Sequence, residues 1–303
     1  MASSVVPAGR GEPAGAGSGG VRGIRLVVQA DDFGASRGAN AAVLRAHKGG
    51  ILTGAGLMVT GDAVEEAACM ARGNPTLGVG LHLALACARS LLGPVRAPGL
   101  AGPGGWLAAS PVAAGFRYFL RPGLRRELAG EIEAQMRRFV ELGLAPGHLD
   151  GHCNLHLHPT VLGILRGLGP AWGLRTLRLT RDPLRMNLRL ARGRWGYRVS
   201  HALVFGVLSA LARPGLARAG VAHVDRVFGL LQSDRMDEGY LLRLLDGLGD
   251  GTFEVYAHPD EGPHRHETEA LCSPRVRALV VARGIRLVRY ADLACARDGG
   301  IMR

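Results

Sequence analysis

Residues 24–50 read IRLVVQADDFGASRGANAAVLRAHKGG, and their order sets the fold class. Ile24–Ala30 is a short apolar run that suits a buried strand. Turn formers and two acids follow in DDFGAS. Arg37–Lys48 then has helical character and stops at Gly49-Gly50. A strand that ends on acids and hands over to a helix is the opening of a β-α-β crossover.

The same alternation continues outward. Ala55–Thr60 is apolar and Ala63–Arg72 helical, and Leu77–Leu85 reads as a strand before a Gly/Pro-rich loop at 93–105. Leu124–Leu142 is a clear amphipathic helix, with Leu128, Ile132, Met136 and Phe139 on one face. Gly147–His152 is extended, Pro159–Leu168 helical and Arg175–Leu179 a strand. An arginine-rich loop leads to an apolar helix at Val199–Ala212. Val221–Val224 reads as a strand, Met236–Leu245 as a helix and Thr252–Ala257 as a strand. Ser273–Ala282 is a helix with Ser273 as N-cap and Pro274 at its first position. Ile285–Val288 and a short last helix complete the pattern. About seven strands alternating with helices imply an α/β fold with parallel strands and helical crossovers. No internal repeat is visible. Periodicity leaves both an open sheet and a closed or distorted (β/α) barrel standing.

The 303 residues are 47% hydrophobic and 20% charged, which excludes a mainly disordered chain. The formal charge is +12, and Lys48 is the only lysine. Arginine bias with 46 glycines reflects genome composition as much as function. A positive chain favours acidic surfaces. Aromatic residues are only 5%, the arginines are spread out, and no helix-turn-helix, zinc-finger or stacking motif occurs. That argues against a nucleic-acid-binding protein. The five cysteines form no CxxC pair; their odd number suits a reducing, cytoplasmic setting. No apolar run reaches the roughly 20 residues of a membrane span. Residues 1–22 lack the apolar core of a signal peptide and read as a disordered tail. Residues 23–298 then form a single domain.

The polar residues gather at predicted strand ends. Asp31 and Asp32 follow the first strand, and His82 sits in GVGLHL. His148, Asp150, His152, His156 and His158 cluster in HLDGHCNLHLHP, and His258 follows FEVYA. In a parallel barrel the strand C-termini share one rim, so these groups can converge. Each has a plainer reading. One Asp could cap the next helix, but two adjacent acids repel unless a cation lies near. His82 alone could be a core histidine. Pro259 could simply end a strand at His258. Alternation places His148, Asp150 and His152 on one face. Together they suit a catalytic metal with three protein ligands and an open position for water. Cys153 reads as packing.

At these residues the chain resembles the YdjC-like carbohydrate deacetylases. The resemblance rests on VVQADDFGASRGANAAVLRAHKGGILTGAGLMVTG, LGVGLHLAL, HLDGHCNLHLHPT, FEVYAHPD and ETEALCSPRVRALVVARGIRLVRYADL, in order, over about residues 24–293. FRYFLRPGLRRELAGEIEAQ and VDRVFGLLQSDRM carry a closer resemblance to the hopanoid-biosynthesis-associated branch. That resemblance implies a distorted (β/α) barrel and removal of the acetyl group from an N-acetylglucosaminyl hopanoid. It places the metal ligands on Asp32, His82 and His152, the catalytic base on Asp31 and the late histidine, as general acid, on His258. Asp150, Asn154 and His156 are expected behind the ligands or against substrate. Asn154 departs from the family's pattern, which has a histidine there.

Two histidines and one carboxylate suit Zn²⁺, Fe²⁺, Co²⁺ or Mn²⁺; the family resemblance adds Mg²⁺. A membrane-borne substrate would need a docking surface. The arginine-rich, apolar stretch 185–218 fits peripheral contact with the inner face of the cytoplasmic membrane. It equally fits a buried barrel helix with solvated arginine flanks. Two other readings remain: a deacetylase of soluble chitooligosaccharides, and a non-catalytic sugar- or nucleic-acid-binding barrel.

Overall fold

The computed structural model describes residues 23–145 and 147–298. In chain order they form β1 (Ile24–Phe33), α1 (Arg37–Gly49), β2 (Gly54–Leu57), α2 (Val64–Gly73), β3 (Gly78–Leu83), α3 (Gly93–Arg96), α4 (Pro111–Leu120), α5 (Arg125–Glu141), β4 (His148–Gly151), α6 (Pro159–Leu168), β5 (Thr176–Leu177), α7 (Leu184–Leu190), α8 (Trp195–Arg218), β6 (Arg226–Phe228), α9 (Glu238–Asp246), β7 (Gly251–Ala257), α10 (Arg265–Cys272), α11 (Pro274–Ala282), β8 (Arg286–Leu287) and α12 (Tyr290–Asp298). The predicted tail at 1–22 lies outside the described residues.

All strand pairings are parallel, in the order β5-β4-β3-β2-β1-β7-β6, with β8 on β1. β1 is the keystone. One edge pairs with β7 in unbroken register from Ile24↔Gly251 to Ala30↔Ala257. The other edge meets β8 at Arg25–Leu26 and β2 from Gln29 onward. Nearly all of β1 is buried, as a strand covered on both faces must be. The free ends of the sheet approach each other: Leu177 N–H donates to the Ala222 carbonyl (3.0 Å) and Ala222 N–H to the Arg175 carbonyl (2.8 Å). The result is a distorted (β/α) barrel in one domain.

Local chemistry explains the helix starts. The Ser36 side chain accepts from Ala39 N–H, Asp237 from Tyr240 N–H, and Ser273 from Arg275 and Val276 N–H with Pro274 following. α5 buries Leu128, Ile132, Met136 and Phe139, the predicted stripe.

Three expectations need correction. Val221–Val224 is not a strand of the sheet. It makes one bridge, Thr176↔Ala222, while the ladder with β7 falls on Arg226–Phe228 because Asp225 first caps Thr252 N–H. The loops at 93–105 and after β5 contain α3 and α7, and α4 and α10 were also unforeseen. The apolar helix runs from Trp195 to Arg218, past Pro214. Pro214 is exposed, one turn from the end, and supplies no N–H to the carbonyl four residues before it.

Candidate active site

The rim chemistry starts with a defect in β1. Its register against β2 slips between Ala30 and Phe33, and Asp32 has φ +60°. A bulge at a strand end re-aims side chains, and Asp tolerates this backbone region better than most residues. The two adjacent acids therefore part. Asp31 is buried, and its two oxygens accept from Nη2 and Nη1 of Arg178, both at 2.7 Å. Asp32 remains 26% exposed and faces two histidines. Their repulsion is relieved because each meets its own cationic partner.

His82 comes from β3, opposite Asp150 of β4. Its Nε2 lies 3.4 Å from Asp32 Oδ1, and its Nδ1 lies 2.8 Å from Asp150 Oδ1. His152 leaves the end of β4 on a 3-10 turn, and its Nδ1 lies 2.9 Å from the same Asp32 Oδ1. One ligand atom from each of Asp32, His82 and His152 falls within 4.8 Å of the others. Gly56 on β2 makes room for the pair behind them. A Cβ there would stand 2.9 Å from both His82 Nδ1 and Asp150 Oδ1.

This donor set fits a divalent cation. Two imidazoles aim ring nitrogens at one carboxylate oxygen, and Asp150 fixes the orientation of His82 from behind. The partly exposed side leaves room for water and substrate. Protonation alone shows the same bias toward positive charge. Burial pushes His82 down, but the charges of Asp150 and Asp31 and its hydrogen bonds outweigh that and lift it to about 10. His152 is likewise lifted to about 11, mainly by its hydrogen bond to Asp32. Burial pushes Asp32 up, yet the two histidines hold it well below the usual range.

Below the rim lies a buried polar floor. Arg178 has no exposure. Its Nε donates to Glu254 Oε1 and its Nη2 lies against Asp150 Oδ2, both at 2.8 Å. Its guanidinium sits 4.3 Å over the Tyr256 ring. The Tyr290 hydroxyl donates to Glu254. Burial pushes Glu254 up to about 7 although Arg178 opposes it. His148 stacks on Tyr290 at 3.6 Å, and burial takes it down to about 3. His156 Nε2–H donates to the Arg178 carbonyl (2.8 Å) and the ring is fully buried, so it stands behind the site and away from substrate. Asn154 Oδ1 accepts from the Thr180 hydroxyl (2.7 Å) and is also mostly buried.

His258 follows β7, with Nε2 4.0 Å from Asp31 Oδ2 and Nδ1 3.6 Å from Asp234 Oδ1. Its backbone N–H donates to Glu267 Oε2 (2.6 Å), which fixes the loop. The structure thus brings together Asp31, Asp32, His82, His152 and His258, with Asp150 directly behind. Cys153 is exposed rather than packed, because its φ of +53° turns it outward.

Sequence reasoning missed Arg178, Glu254, Glu267 and Asp234. Arg178 is one arginine among many. The available signal was its setting: a charged residue within TLRLT and another within FEVYA, both in strands buried on two faces, must pair.

Fold and site define a parallel (β/α) barrel whose rim carries a two-histidine, one-carboxylate centre beside a buried aspartate and a histidine. The sequence profile of the YdjC-like proteins matches residues 25–282, and the chain belongs to that family. It is 30% identical over 279 residues to a carbohydrate deacetylase of Geobacillus stearothermophilus, covering 88% of this chain and 96% of that one. It is 26% identical over 285 residues to a chitooligosaccharide deacetylase of Escherichia fergusonii, covering 88% and 98%. Among solved structures it resembles a protein of Enterococcus faecalis V583 described as a candidate for cellobiose-phosphate cleavage. The TM-score there is 0.69 at 25% identity, covering 89% of this chain and 99% of that one.

Proposed function

We propose that this chain is a metal-dependent carbohydrate N-deacetylase that hydrolyses the acetamide of an N-acetylglucosamine unit carried on a hopanoid lipid. One observation carries the chemistry: His82 in β3 and His152 just after β4 converge on Asp32 Oδ1 beside the Asp31–His258 pair. A divalent cation held by Asp32, His82 and His152 would acidify water and polarise the acetamide carbonyl. Asp31 accepts the proton of the attacking water. Arg178 occupies one lone pair on each Asp31 oxygen, which leaves the outer pairs for that proton and fixes the carboxylate plane. His258 donates a proton to the leaving nitrogen. Water and acetamide thereby become acetate and a free amine. Asp150 keeps His82 oriented throughout. Asn154 shapes the floor through Thr180.

The family of the relatives supports the deacetylase reading, and the exposed apolar surface described below supports a lipid-borne substrate. On this reading the chain works in the cytoplasm, on the membrane's inner face. A second reading, deacetylation of soluble chitooligosaccharides, is favoured by the relatives that bear that name. The test is acetate release from an N-acetylglucosaminyl hopanoid and from diacetylchitobiose, with metal-stripped and metal-restored protein and Asp32→Ala. Metal- and Asp32-dependent release from the glycolipid is expected. Release from diacetylchitobiose alone would transfer the reading to soluble sugars, and release without metal would remove the triad's role.

A further inference from the structure

α8 is apolar nearly all round, and such helices are normally buried. This one is not: only 22% of its most apolar stretch is buried. Phe205, Leu208, Ser209 and Ala212 face the barrel. On the outside, Trp195, Val199, Leu203, Val207 and Leu211 are exposed, at a strict spacing of four. They form one ridge about 24 Å long. α4 repeats the arrangement with Val112, Phe116, Phe119 and Leu120 exposed. Both helices pack against α6 and against residues 152–157, the turn that begins with His152. The two apolar faces therefore flank the segment that delivers a ligand to the site.

Charge identifies what covers them. Residues 183–224 contain seven arginines and no Asp or Glu, and residues 67–126 also lack any acid. Arg185, Arg189 and Arg192 are exposed before the ridge, and Arg213 and Arg218 after its core. Two copies packed through α8 in antiparallel fashion would set arginines against arginines with no acid to compensate. An anionic lipid surface suits the five exposed ones, Arg185, Arg189, Arg192, Arg213 and Arg218. Their stems can lie along the apolar ridge while the heads reach phosphate, and Trp195 suits the interface.

We propose that α8 and α4 lie in the surface of an anionic bilayer and seat the rim against it. The inference deepens the reading above, since a lipid-borne sugar gives the docking its purpose, but the binding is measured without that substrate. The experiment is flotation of the full chain with vesicles of phosphatidylcholine, with and without phosphatidylglycerol, at low and high salt. Salt-sensitive binding to the anionic vesicles is expected. Leu203→Glu/Val207→Glu should weaken it at least about tenfold, and Arg185→Gln/Arg189→Gln should lower it by a smaller factor. Circular dichroism and the thermal unfolding midpoint should be unchanged in both variants, which shows that they fold. Absence of vesicle binding, or binding indifferent to lipid charge, overturns the proposal. So does a wild-type dimer by light scattering that Leu203→Glu/Val207→Glu splits, since a second copy then covers the face. A wild type that floats but releases no acetate from any substrate sinks the deacetylase reading and leaves the docking intact.

Discussion

At the floor of the rim, Arg178, Asp31, Asp150 and Glu254 are packed with almost no exposure, while Leu203, Val207 and Leu211 on the outer side of α8 stand half to two-thirds exposed. The usual distribution of polarity is inverted at both places. Inside, charges tolerate burial because each faces an opposite charge at about 2.7–2.8 Å. Outside, nothing among the described residues covers the apolar ridge. The contrast separates two demands. The floor holds the Asp31 carboxylate still, and the ridge is the face proposed to meet lipid.

Several changes would break or sharpen that contrast. Asp31→Asn should lower kcat by about 10²- to 10⁴-fold, as loss of a general base does. A fall of less than tenfold in steady-state assays would remove Asp31 from that role. Arg178→Met should cost about 3–5 kcal/mol in denaturant unfolding, because it strands three buried carboxylates. A cost below about 1 kcal/mol would mean the floor does not depend on its cation.

Asp182 tests burial from the acid side. It accepts from Gly229 and Leu231 N–H, and burial pushes its carboxyl up to about 7. The unfolded chain ionises this group near pH 4, so between pH 4 and 7 the folded state binds more protons. Its contribution to stability is full below that window and declines as pH rises through it, by an order of a few kcal/mol. Asp182→Asn keeps an acceptor and does not titrate, so its stability advantage should grow from pH 4 to 7 and then level off. A constant difference in unfolding free energy would show Asp182 ionised throughout.

Gly56→Ala should cost about 1–3 kcal/mol, since its Cβ would press on His82 and Asp150. It should also weaken divalent-cation binding in calorimetry; unaltered cation affinity would show that His82 gives way freely. The smallest effect belongs outside. Leu203→Ser should change stability by no more than about 0.5 kcal/mol, and a loss above about 2 kcal/mol would mean the ridge is covered after all.

The same contrast explains what could be read from the chain itself. Asp31, Asp32, His82, His152 and His258 stand out because polar groups are rare at the ends of apolar strands, and parallel topology brings those ends together. Arg178 and Glu254 are invisible as individuals, since their meaning is a pairing between strands 76 residues apart. Val221–Val224 was apolar enough for a strand, but register against β7 is decided by Asp225 and the turn it makes. For α8, composition left burial and exposure equally open, because an apolar helix reads the same whether protein or lipid lies against it. Only its place in the fold separates the two.

β1 pairs with β7 across a separation of about 227 residues, as the bond from Gly23 N–H to Asp250 shows. During synthesis, the strand bearing Asp31 and Asp32 is made before the rest of the sheet, and the strand that completes its edge follows only after five others. Until then the nascent chain carries an unpaired, almost wholly apolar edge, the kind that recruits neighbouring strands. Closure with such high contact order is slow. The candidate site's rim is therefore complete only once β7 has paired, and this chain's yield in a cell should depend on chaperones that shield β1 until then.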